Sequence, residues 1–481
     1  MSSVRGSSPV EEEAANKTAE IVEASASRAG TADASTLENA GAAASASRLP
    51  AALRALRHRN YQLFFFGQLI SLTGTWMQSV AESWLIYRLT GSAVLLGLVG
   101  FASQIPVFLL APVGGAVADR YRRHRILVTT QTIAMLLAFT LAGLTLSGRI
   151  QVWEVFALAS LLGLNNAFDI PARQAFVVDM VGRDDLLNAI ALNSSMVNGA
   201  RVVGPAVAGI LVAAVGEGWC FFANAASYIA VITCLLLMKI ATARRAPART
   251  SALASIAEGF RFVTHKAPVR ALLLLLGLIS LMGMPYAVLM PIFADQILHG
   301  GASGLGLLMG ASGVGALVGA VSLATRRGLS GLGRWVAFSS AGFGVSIILF
   351  SLSRSFWLSA ALLLPVGFSM MIEMASSNTL IQAMVPDALR GRVMAVYSMM
   401  FMGMAPIGAL LAGTLAQRIG APETVALGGV VCILGALVFG LRLPALRAEA
   451  REIIVALQMA GGDPPEEMTT GEYAALAPRK A

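Results

Sequence analysis

Apolar side chains along this chain come in long blocks rather than in strict alternation or narrow stripes. The blocks lie at about 61–87, 93–118, 125–147, 151–173, 187–215 and 219–240, and again at about 270–297, 302–324, 333–352, 356–384, 392–418 and 422–443. Each reaches the roughly 20 apolar residues that a helix needs to cross a bilayer core. The pattern therefore predicts an all-α membrane protein with twelve transmembrane helices in two six-helix bundles, 51–241 and 269–443. Between the bundles, 242–268 is the longest internal polar stretch and is expected to be a linker with an amphipathic segment. Residues 1–50 are rich in Ala, Ser, Thr and Glu without apolar periodicity and read as a disordered tail. At the other end, 444–481 opens with a helix-like stripe of Leu446, Ile453, Ile454 and Leu457 among charges. That stripe predicts an amphipathic surface helix outside the membrane.

Composition supports the lipid-immersed reading, since 56% of the 481 residues are hydrophobic and 13% charged. No soluble core of this length buries so much apolar surface. The net charge of +9 does not indicate a nucleic-acid partner, because the basic residues fall between the apolar blocks. They act instead as topology signals. Arg54, Arg57 and Arg59 precede the first block, Arg120, Arg122, Arg123 and Arg125 follow the second, Lys239, Arg244, Arg245 and Arg249 follow the sixth, and Arg326, Arg327, Arg390 and Arg392 flank later ones. The opposite loops hold little more than Arg88, Arg149, Arg354 and Arg418. Both termini are expected to be cytoplasmic, and the absence of a basic start followed by an apolar run argues against a cleaved secretory signal. Cys220, Cys234 and Cys432 sit in apolar runs without metal-ligand spacing, so neither a disulfide framework nor a metal centre is expected.

An internal repeat links the two sets of helices. Displacing the sequence by 204 positions superposes Gly115 on Gly319, Arg122 and Arg123 on Arg326 and Arg327, Trp153 on Trp357, Gly163 on Gly367, Gly204 on Gly408 and Gly209 on Gly413. Half repeats related by an axis along the membrane normal are a transporter architecture.

Three motifs carry the expected mechanism. The loop after the second block reads Gly115-Ala-Val-Ala-Asp119-Arg120-Tyr-Arg122-Arg123-His-Arg125. A glycine there lets two helices approach, and Asp119 can take a charge-assisted hydrogen bond or cap a neighbouring helix. The fifth block contains Gly199-Ala-Arg201-Val-Val-Gly204-Pro205-Ala-Val-Ala-Gly209, where small residues permit close helix contact and Pro205 favours a kink. The third motif joins Asn165-Asn166-Ala-Phe168-Asp169-Ile-Pro171-Ala-Arg173 with Leu187-Asn188 and, in the first block, Trp76-Met77-Gln78 and Trp84 to Ser92. Together these resemble the major facilitator superfamily, in the branch of enterobactin-exporter-like transmembrane secretion effectors, over about 60–443. Two positions depart from the usual pattern: Arg122 stands where a second glycine is common, and Ala208 replaces the first of two closing glycines. The resemblance implies export from the cytoplasm driven by the proton gradient, with Gly115, Asp119, Arg120, Arg123, Arg173, Gly204, Pro205 and Gly209 in gating roles.

Ionisable residues inside a membrane are functional candidates because an unpaired charge in hydrocarbon costs several kcal/mol. Glu82, Asp169 and Glu373 are the candidate proton-coupling acids, since every histidine falls in a loop or at a helix end. Glu82 is favoured, because the repeat pairs Asp169 with Glu373 whereas Glu82 aligns with Tyr286. The alternatives for Glu82 are a seat for a cationic substrate or simple solvation near the outer interface. Asp169 and Arg173, one turn apart, suggest a structural ion pair. Arg201 either attracts an anionic substrate or balances Asp169. Gln68, Trp76, Gln78, Gln104, Asn198 and Met374 are further candidates to line a substrate cavity, and the methionine-rich second half suits re-packing around varied apolar molecules or ordinary core filling. Pro285 and Pro291, with Gly283, should break the seventh helix.

These features predict a monomeric exporter of amphipathic small molecules in the bacterial inner membrane, working by proton antiport with alternating access. The partners are a small-molecule substrate, protons and the lipid bilayer. Uptake or facilitated diffusion is the alternative within transport, and a membrane interaction or lipid-handling role the alternative outside it. No nucleophile with a positioned base and no phosphate-cradling loop is present, so neither enzymatic activity nor a cofactor is expected.

Overall fold

The computed structural model describes residues 51–182, 185–239, 252–326, 328–329 and 331–459. The expectations for 1–50, most of 242–251 and 460–481 lie outside these residues. Of the first compact unit, Met1–Arg57, the described part is a short 3-10 helix, Ala51–Arg57. The second unit, His58–Ala481, holds everything else.

Regular structure in the described residues is helical throughout. The first set of long helices is α1 (Arg59–Thr90), α2 (Ala93–Arg120), α3 (Arg123–Leu146), α4 (Val152–Val181), α5 (Leu186–Val215) and α6 (Glu217–Leu236). A short helix α7 (Ala252–His265) precedes the second set: α8 (starting at Ala267–Leu278), α9 (Gly301–Ala324), α10 (Leu332–Leu352), α11 (Phe356–Met384), α12 (Asp387–Ile419) and α13 (Ala421–Met459). Eleven of these segments are long and apolar enough to cross a membrane by length and composition. The exception is α1, whose 32 residues span about 48 Å at 1.5 Å per residue but include many polar groups. Several of its polar side chains face protein: Gln68, Ser71 and Gln78 are buried among neighbouring helices.

The seventh segment is broken, as Gly283, Pro285 and Pro291 predict. After Leu278 the backbone passes through a π turn (Ile279–Gly283), a 3-10 turn (Met284–Ala287), one α turn (Met290–Ile292) and a second π turn (Phe293–Ile297). Proline supplies no N–H and clashes with the preceding turn, so the regular ladder cannot continue through it.

The last helix departs from expectation. A separate surface helix was predicted after Pro444, but α13 runs unbroken through that proline for 39 residues. Its extension is held by tertiary contact: Leu446, Ala450, Ile453 and Ile454 pack against the core, and the Glu449 carboxylate accepts a hydrogen bond from the Ala267 amide at 3.2 Å. That bond satisfies a free N–H at the start of α8.

Within each half, helices pair in the same way: α2 with α4 and α9 with α11, α3 with α6 and α10 with α13. The halves meet mainly through two contacts, α2 with α12 and α5 with α9. A two-fold axis exchanges these contacts, because α2 corresponds to α9 and α5 to α12. The repeat is not gapless throughout, however. The Gly163 backbone lies against the Ser103 carbonyl and that of Gly367 against the Ser312 carbonyl. Gly209 meets Gly306, and Gly413 meets Gly97. Gly97 and Gly306, like Ser103 and Ser312, stand 209 positions apart rather than 204, so the early part of α9 is displaced by five residues from its sequence-matched place.

Candidate functional site

Close backbone contact between the halves concentrates at the end where α1 finishes and α2 begins, here the Tyr87 end. A Cβ on Gly209 would lie 2.9 Å from the Gly306 Cα, and one on Gly413 would lie 3.0 Å from the Gly97 Cα. These positions need glycine because backbone touches backbone. The Pro205 carbonyl also abuts Gly306, at 2.5 Å from where its Cβ would be. A hydrogen bond closes the same end, from the Tyr87 hydroxyl to Asp295 across the halves at 2.7 Å. Beside it Arg88 pairs with Glu217 at 2.7 Å within the first half. Gly204 does not join this seam. It packs on α1, where its Cβ would come 2.5 Å from that of Trp76.

The opposite, Asp119 end is held by charges within the first half. Asp119 is exposed and pairs with Arg123 at 3.4 Å, so it caps no neighbouring helix. Arg123 is the better-anchored residue: its guanidinium donates to the Ala175 carbonyl at 2.9 Å and to Asp179 at 3.1 Å. Asp179 escaped the sequence reading, although an acid at the end of α4 facing an arginine cluster is the signal that would have found it. Arg120 is exposed. The glycine that brings α2 against α4 is Gly114, whose backbone lies on the Ala167 carbonyl, and the expected Gly115 faces open space. One residue along a helix turns the side by about 100°, enough to exchange the two roles. A cavity of about 1500 Å³ beside this loop is lined by residues of the first half alone, among them Arg122, Arg123, Ile133, Leu137 and Phe168. Helix α7 lies at this end, against α12 and α2, with Glu258 paired to Arg392.

The membrane acids occupy three different settings. Asp169 is fully buried and ion-paired with Arg173, while Thr130 and Gln131 donate to its other oxygen at 2.7 and 2.9 Å. Both carboxylate oxygens are thus engaged, and Arg201 is not its counter-charge. Glu373, its repeat mate, is 2% exposed and receives one hydrogen bond, from the Ser377 hydroxyl at 3.3 Å. Where the first half has Arg173, the second has Ser377, and among the described residues no basic side chain lies within ion-pair distance of Glu373. Glu82 is half-buried, one helical turn from Gln78.

Gln78 is not a cavity liner. Its amide oxygen accepts from Asn224 of α6 at 2.6 Å, which ties α1 to α6 inside the first half. Gln68 is 1% exposed and its amide nitrogen has no protein partner. Asn198 bonds back to its own helix at the Ser194 carbonyl, 2.9 Å away. Gln104 is exposed, and Met374 accepts at its carbonyl from the Tyr397 hydroxyl at 3.0 Å. Trp76 and Arg201 come together, the guanidinium carbon 4.9 Å from the indole centroid. They sit beside the second half: a Cβ on Gly313 of α9 would lie 3.1 Å from the Arg201 carbonyl.

Comparison with known proteins agrees with this architecture. A family model described as transmembrane secretion effector matches residues 50–462. The chain is 27% identical to the staphyloferrin A transporter of Staphylococcus aureus, over 78% of this chain and 94% of that protein. It is 27% identical to the multidrug efflux pump Tap of Mycolicibacterium fortuitum, over 80% and 96%, and 28% identical to the enterobactin exporter EntS of Shigella boydii, over 82% and 93%. Among solved structures, a POT family transporter superposes with a TM-score of 0.66 at 12% identity, covering 81% of this chain and 96% of that one. A bacterial homologue of the iron transporter ferroportin gives 0.59 at 16% identity, covering 82% and 98%.

Proposed function

The chain belongs to the transmembrane secretion effector family of the major facilitator superfamily, a family of multi-pass membrane transporters rather than enzymes, and from that premise we propose that it exports amphipathic small molecules by proton antiport. The arginine-rich loops favour an orientation with the Asp119 end and both termini on the cytoplasmic side of a bacterial inner membrane. The described conformation is then sealed at the outer end by the Gly209–Gly306 and Gly97–Gly413 contacts. Export proceeds when the halves rock about these seams and the Tyr87 end opens. Because the pathway lies between the halves of one chain, a monomer suffices.

Glu373 carries the proton part of this reading. An unpaired carboxylate in hydrocarbon costs several kcal/mol, so the proton content of Glu373 is tied to whether water reaches it. Its repeat mate Asp169 has a permanent counter-ion in Arg173 and serves as a structural fastener. Proton and substrate are coupled if their binding favours different states or competes. Glu82, half-buried, is a secondary candidate at the outer part of α1. The relatives named as an enterobactin exporter and a multidrug efflux pump support a small-molecule cargo moving outward.

The test uses everted membrane vesicles energised by respiration, with a fluorescent dye reporting the proton gradient. In parent vesicles at least one compound from a panel of amphipathic anions, cations and neutral molecules should dissipate the gradient. In Glu373→Gln vesicles none should, whereas exchange of labelled for unlabelled compound should persist. Equal responses in parent and Glu373→Gln would overturn the role of this acid.

A further inference from the structure

Arg201 sits near the middle of α5 without an acidic partner. Among the described residues no acid lies within ion-pair distance of Arg201: Asp169 pairs with Arg173, Glu217 with Arg88, and Asp295 accepts from Tyr87. The contact that Arg201 does make is the stack on Trp76 at 4.9 Å. A cation–π contact offsets roughly 0.5–2 kcal/mol, less than the several kcal/mol that an uncompensated cation costs inside a membrane. The residue is only partly buried.

The facing groups come from the second half. Tyr286, on the broken stretch of α8, has its hydroxyl bonded to that of Ser312 at 2.8 Å, and Ser312 adjoins Gly313, where a Cβ would lie 3.1 Å from the Arg201 carbonyl. In such a pair one hydroxyl proton is used and the other is free to donate. The Trp76 ring holds the guanidinium by a cation–π contact, and a guanidinium carries N–H groups that can grip an oxyanion with two parallel bonds. Around this polar point the surface is apolar, with Trp76 and Val202 on one side and the Tyr286 ring, packed on Phe343 with centroids 6.2 Å apart, on the other.

We propose that Arg201, Trp76, Tyr286 and Ser312 form a binding site for an amphipathic organic anion, a carboxylate or related oxyanion on an apolar body, which bridges the two halves. This names the substrate class and rests on the export reading above. The anion completes the charge of Arg201, and its body fills the apolar walls. Because the site draws on both halves, occupancy differs between the alternating states, as a transported substrate requires.

The experiment is a binding titration on the purified full chain in detergent, read by thermal shift and by calorimetry. Three probes share one body: 2-naphthoate, 2-acetylnaphthalene and 2-naphthyltrimethylammonium. The parent should bind naphthoate at least tenfold more tightly than the neutral or cationic probe. Arg201→Gln should weaken naphthoate at least tenfold, Arg201→Lys should retain an intermediate affinity, and Arg418→Gln, at an exposed site, should match the parent. Equal binding of the anion and the cation by the parent overturns the proposal without recourse to any variant. So does parent-like naphthoate affinity in a folded Arg201→Gln protein. If naphthoate fails to bind while another compound still dissipates the proton gradient, the anion site is wrong and the export reading stands. If naphthoate binds as expected and no compound dissipates the gradient, the site stands and proton coupling falls.

Discussion

Replacing Asp169 by Asn leaves the Arg173 guanidinium without its counter-charge, and breaking such a buried pair costs about 3–5 kcal/mol. The same change at its repeat mate, Glu373→Gln, removes no ion pair, and Ser377 can still donate to the amide oxygen, so its expected cost is under about 1 kcal/mol. Thermal unfolding of the two variants in one detergent should show a large loss for the first and a small one for the second. Equal losses would mean that the two halves use their acids alike. The sequence already made the Asp169 and Arg173 pair readable from its one-turn spacing. It ranked Glu82 above Glu373, because the repeat aligns Asp169 with Glu373 without showing that the first has an arginine one turn on and the second a serine. Gly114 and Gly115 posed a similar ambiguity: both are small, and only packing against the Ala167 carbonyl separates them.

At the scale of helices, the long apolar blocks gave positions and order closely, because hydrocarbon leaves a backbone no partner except its own ladder. The break in the seventh segment was readable for the same reason, as Pro285 and Pro291 cannot serve that ladder. The end of α13 was not. Pro444 costs a helix interior about 3 kcal/mol, which suggests a stop, but the contacts of Leu446, Ile453 and Ile454 and the Glu449 bond to Ala267 offset it. Such tertiary contacts have no local signature. Deleting 444–481 should therefore lower the melting temperature and the yield of monodisperse protein, while deleting 460–481 should leave both unchanged. Glu449→Ala isolates the helix-capping part of this effect, with an expected loss of about 1 kcal/mol in the same unfolding measurement. Wild-type stability in the longer deletion would show that the helical extension is an appendage.

The whole molecule is closed at one end by a pair of seams that the two-fold axis exchanges, and this symmetry makes a strong prediction about its motion. Gly209 against Gly306 and Gly413 against Gly97 are backbone contacts in which a larger residue on either side must part the helices. Gly209→Val and Gly413→Val should each open the Tyr87 end, and by similar amounts, although they lie in different halves. Tyr87→Phe should act in the same direction: it removes a hydrogen bond to a charged acceptor, worth about 1.5–3 kcal/mol, and so shifts the population about tenfold or more. Spin labels report both ends at once. A pair at the exposed positions Arg149 and Arg354 spans the halves near the Tyr87 end, and a pair at Tyr121 and Thr325, repeat mates 204 positions apart, spans them near the Asp119 end. Rocking of two rigid halves requires opposite changes: the first distance distribution lengthens while the second shortens. If the glycine variants merely lose stability with both distributions unchanged, the seams are static packing and the pathway must open by another movement. If the first distance grows and the second stays fixed, the halves separate locally rather than rock. Reciprocal change in all three variants would tie the sealed end, the symmetric glycines and access from the Asp119 end into one two-state equilibrium.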